Sequence, residues 1–407
     1  MDARVPKSAF LYMSSATHNA YRNMVANAPD GFAFTNGESN SDFMAHGLVQ
    51  AAHCLPAGLG SSLAAGAKRL AAKVQPYISP YYNDAHILLN KPKVRPFHSR
   101  DYDIVHSGQS LLDTDLPYVV DFEHATAFCG YSQYALNRPG FVSALERVLL
   151  DPKLKKLLAW SDAAGRSLTN FVKSKDVARK VETFYPVMAP AKAVPRSSTS
   201  FNFLYIGNDF YAKGGYESLL AFERIAGRYD CRFTAIGVIP PEVHARFGGN
   251  RKISLIERVP YARVVEFYSN SDVFVFPSHY DTYGFVIPEA LSFGLPVIGV
   301  DSFSMPELVQ HEKTGLLIKT HFNSFAADDG YAAPRQQELA RTRYAACANP
   351  PDWYVTLLAD AMERFINDRR LKDECSRNAL LETTEGKFSP KRSREQLKRI
   401  YEEALSA

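Results

Sequence analysis

Paired cysteines, long apolar runs and a dominant charge are all missing from this chain. Its five cysteines (Cys54, Cys129, Cys231, Cys347, Cys375) are odd in number, scattered and without C-x-x-C spacing. That pattern argues against a disulfide framework or a structural zinc, and for a reducing, cytoplasmic setting. No stretch nears the roughly 18–20 consecutive apolar residues of a membrane-spanning helix. The early apolar piece Ala9–Met13 is too short for a signal-peptide core. Hydrophobic residues at 46% and charged residues at 22% exclude wholesale disorder, collagen and coiled coil. H-E-x-x-H, G-x-S-x-G and Walker patterns are absent, which removes the zincin, hydrolase-elbow and P-loop classes.

What is present suits an α/β enzyme. At roughly 150 residues per domain, 407 residues make two or three domains. Net charge is +4 but uneven: residues 1–200 hold 22 Lys and Arg against 16 Asp and Glu, and residues 201–407 hold 25 against 27. The excess gathers in Lys153–Arg196. One reading is a solvated helical face, and the other a surface for anionic lipid or a phosphate-bearing acceptor. Without zinc-finger spacing or an RNA-binding motif, nucleic acid is not expected.

The second half alternates clearly. Strands are predicted at Phe203–Gly207, Arg232–Ile236, Ile253–Ile256, Val273–Phe276, Pro296–Val300 and Leu316–Ile318, with helical spacing between them. Such alternation makes a parallel sheet covered on both faces, with ligands at the strands' carboxyl ends. In the first half, Ile104–Val105 and Pro117–Asp121 read as strands, Phe141–Leu150 and Leu154–Leu168 as helices. Residues 14–100 carry few signals, and 320–352 read as an insertion of a helix and loops. The Pro- and Ser-rich stretch Ala189–Thr199 marks a boundary. It separates domain 1–190 from domain 195–387, and helix 388–407 closes the chain.

Two loops carry chemistry. In Gly207-Asn-Asp-Phe-Tyr-Ala-Lys213-Gly214-Gly215, a Lys and paired glycines stand between a strand and a helix start. Helix amides and an ammonium there suit a phosphate, although a surface Lys on a permissive turn looks the same. In Asp281-Thr-Tyr-Gly284-Phe285-Val286-Ile-Pro288-Glu289, two acids eight residues apart span a loop and the start of a helix, with Pro288 at its first position. Gly294-Leu-Pro296 and Gly315-Leu-Leu close the turns before the next strands.

These residues resemble glycosyltransferase family 4, retaining enzymes that use nucleotide-sugar donors. The family's Glu-x7-Glu is Asp281-x7-Glu289 here, and its Gly-Arg-x4-Lys-Gly loop is Gly207-Asn208-x4-Lys213-Gly214. The segment Ile400-Tyr-Glu-Glu-Ala404 resembles its closing helix, and Trp160-Ser-Asp162 with Tyr185-Pro186 its domain crossover. The likeness covers residues 155–319 and 353–405 and is poor over 1–100. It implies a GT-B fold: two Rossmann-like domains with parallel sheets facing across a cleft, the last helix crossing back to the first domain.

The resemblance also implies roles. Lys213 neutralises the donor diphosphate, and Gly207, Asn208 and Gly214 shape its loop. The amides of Gly284, Phe285 and Val286 contact sugar and diphosphate, Glu289 holds the ribose, and Asp281 the transferred sugar. His124, with Glu123 beside it in Asp121-Phe-Glu123-His124, is the candidate at the reacting centre on the acceptor side, against the alternative of a hydrogen-bonded structural His. Two departures stand out: Asn208 replaces an Arg, leaving Lys213 and helix amides or another base such as Arg258 to compensate, and Asp281 is one methylene shorter than Glu. The implied reaction moves a sugar from an NDP-sugar to an acceptor hydroxyl of a glycan, glycolipid or small molecule, with retention. No metal or other cofactor is expected. The setting is cell-envelope or polysaccharide synthesis, with peripheral contact at the inner membrane face through the basic N-terminal domain. Three alternatives compete: a GT-B epimerase, a weakened NDP-sugar-binding protein, and metal chemistry at Asp101-x-Asp103 or Asp113-x-Asp115.

Overall fold

The computed structural model describes residues 7–13, 19–36, 87–189, 191, 195, 200–332 and 336–406. Gly37 and Glu38 of Asn36-Gly37-Glu38, the nearest counterpart here of the family's N-terminal Gly-rich loop, lie outside these, as do Cys54 and Tyr77, Tyr81 and Tyr82, the aromatic candidates for a sugar-site floor. The chain forms two compact units. One comprises residues 1–158, 171–182 and 398–407; the other comprises 159–170 and 183–397. The chain therefore changes unit four times, at positions apart from the Ala189–Thr199 stretch.

The first unit holds β1 (Lys7–Met13), β2 (Phe32–Asn36), β3 (Val94–Pro96), β4 (Ile104–Gly108), β5 (Leu111–Asp113), β6 (Tyr118–Phe122), β7 (Leu154–Ala159) and β8 (Val181–Thr183). Its main sheet runs β2-β1-β4-β6-β7-β8, and β3 pairs with β5 alone. The pairs β1–β2, β1–β4 and β4–β6 are parallel. β4 and β6 are buried at every position, as strands covered on both faces must be. A polar chain crosses this core. Buried Asp121 accepts from the Tyr21 hydroxyl at 2.8 Å and lies 3.1 Å from His106 Nε2, whose Nδ1 meets the Tyr401 hydroxyl at 2.7 Å. This chain ties the last turns of helix Pro390–Ser406 to the first sheet.

The helix expected at 154–168 is instead β7 followed by helix Asp162–Thr169. Leu154, Leu157 and Leu158 satisfy helical spacing and a buried strand alike, and periodicity cannot separate the two over so short a run. Ser161 marks the true start, its hydroxyl accepting from Ala164 N–H at 3.0 Å. The Glu307 carboxylate takes the amides of Asp162 and Ala163 at 2.6 and 2.8 Å, an anion on a helix N-terminus. That contact lies wholly within the second unit.

The second unit holds β9 (Phe201–Gly207), β10 (Cys231–Gly237), β11 (Ile253–Ile256), β12 (Val273–Val275), β13 (Val297–Val300) and β14 (Gly315–Ile318). They are ordered β11-β10-β9-β12-β13-β14, with every pair parallel. Numbered within the sheet this is 3-2-1-4-5-6, the doubly wound order whose direction reverses between β9 and β12. The crevice at that reversal is where such sheets take ligands. No described helix is long and apolar enough to cross a membrane.

Candidate active site

The two loops singled out from sequence leave β9 and β12, the strands flanking the reversal. After β9 the chain turns through Gly214, at φ 76°, into helix Gly215–Ala226. A Cβ on Gly214 would stand 2.5 Å from the Pro277 carbonyl oxygen. Glycine is therefore required twice over, for its left-handed backbone and for the close approach of the two loops. The N–H groups of Gly214 and Gly215 are spent inside the turn, on Tyr211 O and Phe210 O.

The close approach carries Lys213 onto the second loop. Its Nζ lies 2.7 Å from Asp281 Oδ2 and donates to the Tyr280 carbonyl at 2.5 Å. Both side chains keep some exposure, 22% for Lys213 and 15% for Asp281. The helix after this loop runs Val286–Ser292, two residues earlier than expected, so Pro288 is its third residue rather than its first. Proline is tolerated there because first-turn amides have no helical acceptor. Gly284, at φ 72°, makes the turn, and Phe285 is the N-cap. Trp160 packs edge-on against Phe285 and Tyr283, with centroids 5.1 and 5.9 Å apart. Glu289 is buried, and its Oε2 accepts from the Tyr268 hydroxyl at 3.3 Å. Burial first, and the Glu289 charge next, push the Tyr261 hydroxyl up to about 12. Lys213 and Asp281 thus meet directly, while Glu289 faces Tyr268 of helix Tyr261–Ser269.

Asn208, where the resemblance led us to expect Arg, accepts at Oδ1 from Arg258 Nε at 3.2 Å. Arg258 follows β11, so the contact reaches across the end of β10.

In the first unit, His124 is fully buried and caps the 3-10 turn Ala125–Cys129. Its Nδ1 accepts from Thr126 N–H at 3.1 Å and lies 2.8 Å from Thr126 Oγ1. This arrangement braces the loop, as the alternative of a hydrogen-bonded structural His has it. Glu123 Oε1 accepts from the Tyr131 hydroxyl at 2.9 Å.

A buried cluster went unread. Glu217, in the first turn of helix Gly215–Ala226, would ordinarily be an exposed acid compensating the dipole, yet it is fully buried. Its carboxylate meets His279 Nε2 at 2.7 Å and His321 Nε2 at 2.5 Å. Glu217, His279 and Cys347 are the one grouping of three metal-capable side chains among the described residues. The two imidazole contacts are of hydrogen-bond length, and the His279 backbone N–H donates to the Ala212 carbonyl at 2.9 Å, which braces the Lys213 loop. Neither Asp-x-Asp pair joins a ligand set among the described residues; Asp103 accepts from Ser8 N–H at 2.7 Å.

Residues 320–352 contain helix Gln336–Ala348 and dock on the same loops. Arg343, 8% exposed, stacks over the Tyr280 ring at 4.1 Å and lies 3.7 Å from Asp209. Phe325 stacks on Phe303 at 4.2 Å, and Tyr344 meets Tyr211 at 5.0 Å. None of this was visible in sequence, because the partners lie up to 134 positions apart (Asp209 to Arg343).

Comparison with known proteins agrees with this geometry. Residues 191–333, which include both loops, match the family described as Glycosyl transferases group 1. N-acetyl-alpha-D-glucosaminyl L-malate synthase of Bacillus anthracis is 26% identical over 142 residues, 34% of this chain and 37% of that protein. The chain spans about a third of the length of the curated relatives it matches first. A glycosyltransferase of Rickettsia africae superposes with TM-score 0.61 at 13% identity, covering 99% of each chain. Anabaena HepE, crystallised with UDP and glucose, does so with TM-score 0.58 at 14% identity, over 98% of this chain and 99% of that one. The fold is therefore GT-B, and the chain resembles glycosyltransferase family 4 through a group 1 domain that contains the Lys213 and Asp281 loops.

Proposed function

We propose that this protein is a retaining glycosyltransferase that moves a sugar from a nucleoside diphosphate sugar to an acceptor hydroxyl, without a metal. The observation that carries the reading is the Lys213 ammonium held 2.7 Å from Asp281 where the sheet order reverses, beside a helix N-terminus. The UDP and glucose of HepE, which shares the fold, favour a nucleotide-sugar ligand.

Breaking the glycosidic C–O bond leaves its electron pair on the diphosphate oxygen, and negative charge grows there. Lys213 and the positive dipole end of helix Gly215–Ala226 stabilise that charge where it develops, in place of a metal. Arg258, steadied by Asn208, is a second cation for the same group. The acceptor oxygen bonds to the anomeric carbon on the face the diphosphate leaves, and its proton passes to the departing phosphate oxygen. Asp281 and Glu289 then position the sugar and the ribose rather than attack. Lys213 must exchange part of its contact with Asp281 for the diphosphate, so donor binding frees the Asp281 carboxylate to take a sugar hydroxyl.

A thermal-shift screen across nucleotide sugars, run in EDTA and in magnesium, tests the reading. Stabilisation by one donor class in EDTA, with product formed only when acceptor is added, supports it. Strict magnesium dependence, or conversion of the donor alone, counts against it.

A further inference from the structure

Glu217, His279 and Cys347 come from three separate segments of the second unit, and each is fully buried. Glu217 lies in the first turn of helix Gly215–Ala226, His279 two residues before Asp281, and Cys347 near the end of helix Gln336–Ala348. A carboxylate oxygen, an imidazole nitrogen and the thiol sulfur stand within 4.8 Å of one another. Zinc, of borderline softness, accepts all three donor types, whereas magnesium and calcium take oxygen.

The surroundings hold these side chains as metal ligands are held. His279 Nδ1 lies 3.1 Å from the Phe322 carbonyl and 2.9 Å from Thr320 Oγ1. The carbonyl can only accept, and the Thr320 hydroxyl donates to that same carbonyl at 2.7 Å, so Nδ1 carries the hydrogen. Nε2 therefore presents its lone pair to Glu217 Oε2 at 2.7 Å. Two acceptors that close hold a proton between them, and a metal ion can take the proton's place. An imidazole whose far N–H rests on a backbone carbonyl is the usual arrangement at a metal. The other Glu217 oxygen meets His321 Nε2 at 2.5 Å, as ligating carboxylates are themselves hydrogen-bonded.

We propose that Glu217, His279 and Cys347 bind one zinc ion, with His321, Thr320 and Phe322 supporting the ligands. Charge agrees with a divalent ion. Uptake expels the shared proton and the thiol proton, and the ion's two positive charges then face one carboxylate and one thiolate. The buried group is neutral before and after, so no unpaired charge is left inside the protein. Arg343, one turn before Cys347, lies 3.7 Å from Asp209 and does not disturb that balance. The ion staples helix Gln336–Ala348 to the segments that carry Lys213 and Asp281. It is structural, and the transfer reading stands or falls without it.

The test is metal uptake by the full chain, free of any histidine tag and first dialysed against a chelator. Zinc chloride then binds at about one ion per chain, by elemental analysis. Cobalt(II) gives a thiolate-to-metal charge-transfer band, which zinc bleaches on displacing it. Cys347→Ala leaves the Glu217–His279 pair in place but loses the band and most of the zinc affinity. Cys375→Ala, at a buried cysteine of the same unit, keeps both. His321→Ala keeps the band and weakens zinc about 10- to 100-fold. Zinc raises the melting temperature of wild type but not of Cys347→Ala, and melting curves in chelator show which variants fold. Loss of fold in chelator that zinc reverses also supports the site. A folded wild-type chain that takes up no zinc overturns the proposal, as does a cobalt complex without the thiolate band. A band that survives in folded Cys347→Ala overturns it as well.

Discussion

The two units use the same sheet architecture to opposite ends. In the second, the reversal of strand order sits between loops whose charged groups, Lys213 and Asp281, stay partly exposed and meet each other. In the first, the polar groups of β4, β6 and the turn after β6 are turned inward: Asp121, His106 and His124 are fully buried and bonded to their own scaffold. A titratable residue after a parallel strand is therefore not a site by position alone. Its remaining exposure, and whether its bonds can be exchanged for a ligand's, decide the matter.

That contrast can be broken or sharpened by substitution. The largest expected loss of stability is at the brace. His279→Ala leaves Glu217 buried with one imidazole fewer, at a cost of about 3–5 kcal/mol, seen as a lower denaturation midpoint. Next is Gly214→Ala, which meets the Pro277 carbonyl and a left-handed backbone. It should lose about 1–3 kcal/mol and with it the Lys213–Asp281 geometry, so urea melts and donor turnover fall together. In the first unit, Tyr401→Phe removes one buried hydrogen bond to His106 and should cost about 1 kcal/mol, with nucleotide affinity unchanged. Were affinity to fall, the separation between scaffold and site would fail. The smallest effect is at Asn208→Ala, which frees Arg258 and should weaken the donor by a few-fold, about 0.5–1 kcal/mol. Thiol chemistry adds a check on both cores. Burial pushes Cys129 up to about 12 and Cys375 up to about 11, so iodoacetamide at pH 8 should label neither until the protein unfolds.

Much of the second unit could be read in advance because its strands are short, mainly apolar runs punctuated by Gly and Pro, and its two loops interrupt that rhythm with charge. Six strands were placed within a residue or two, and Lys213 was matched to the loop that meets Asp281. The failures have physical reasons. Leu154–Ala159 fits a strand and a helix equally. Pro288 was taken as a helix start, although proline is accepted anywhere in the first turn. For His124 a sequence shows the side chain's chemistry but not its burial, which the structure supplies. Glu217, His279, His321 and Arg343 were invisible for a different reason. Their meaning lies wholly in contacts between distant segments, which no local pattern encodes.

The central claim is that the Lys213 ammonium stabilises a departing diphosphate. Single-turnover transfer from the nucleotide sugar that the screen identifies to an added acceptor, by wild type and by Lys213→Ala with matched melting curves, tests it most directly. The account predicts a loss of about 10²–10³ in rate with little change in melting temperature. A folded Lys213→Ala protein that turns over at the wild-type rate would contradict it.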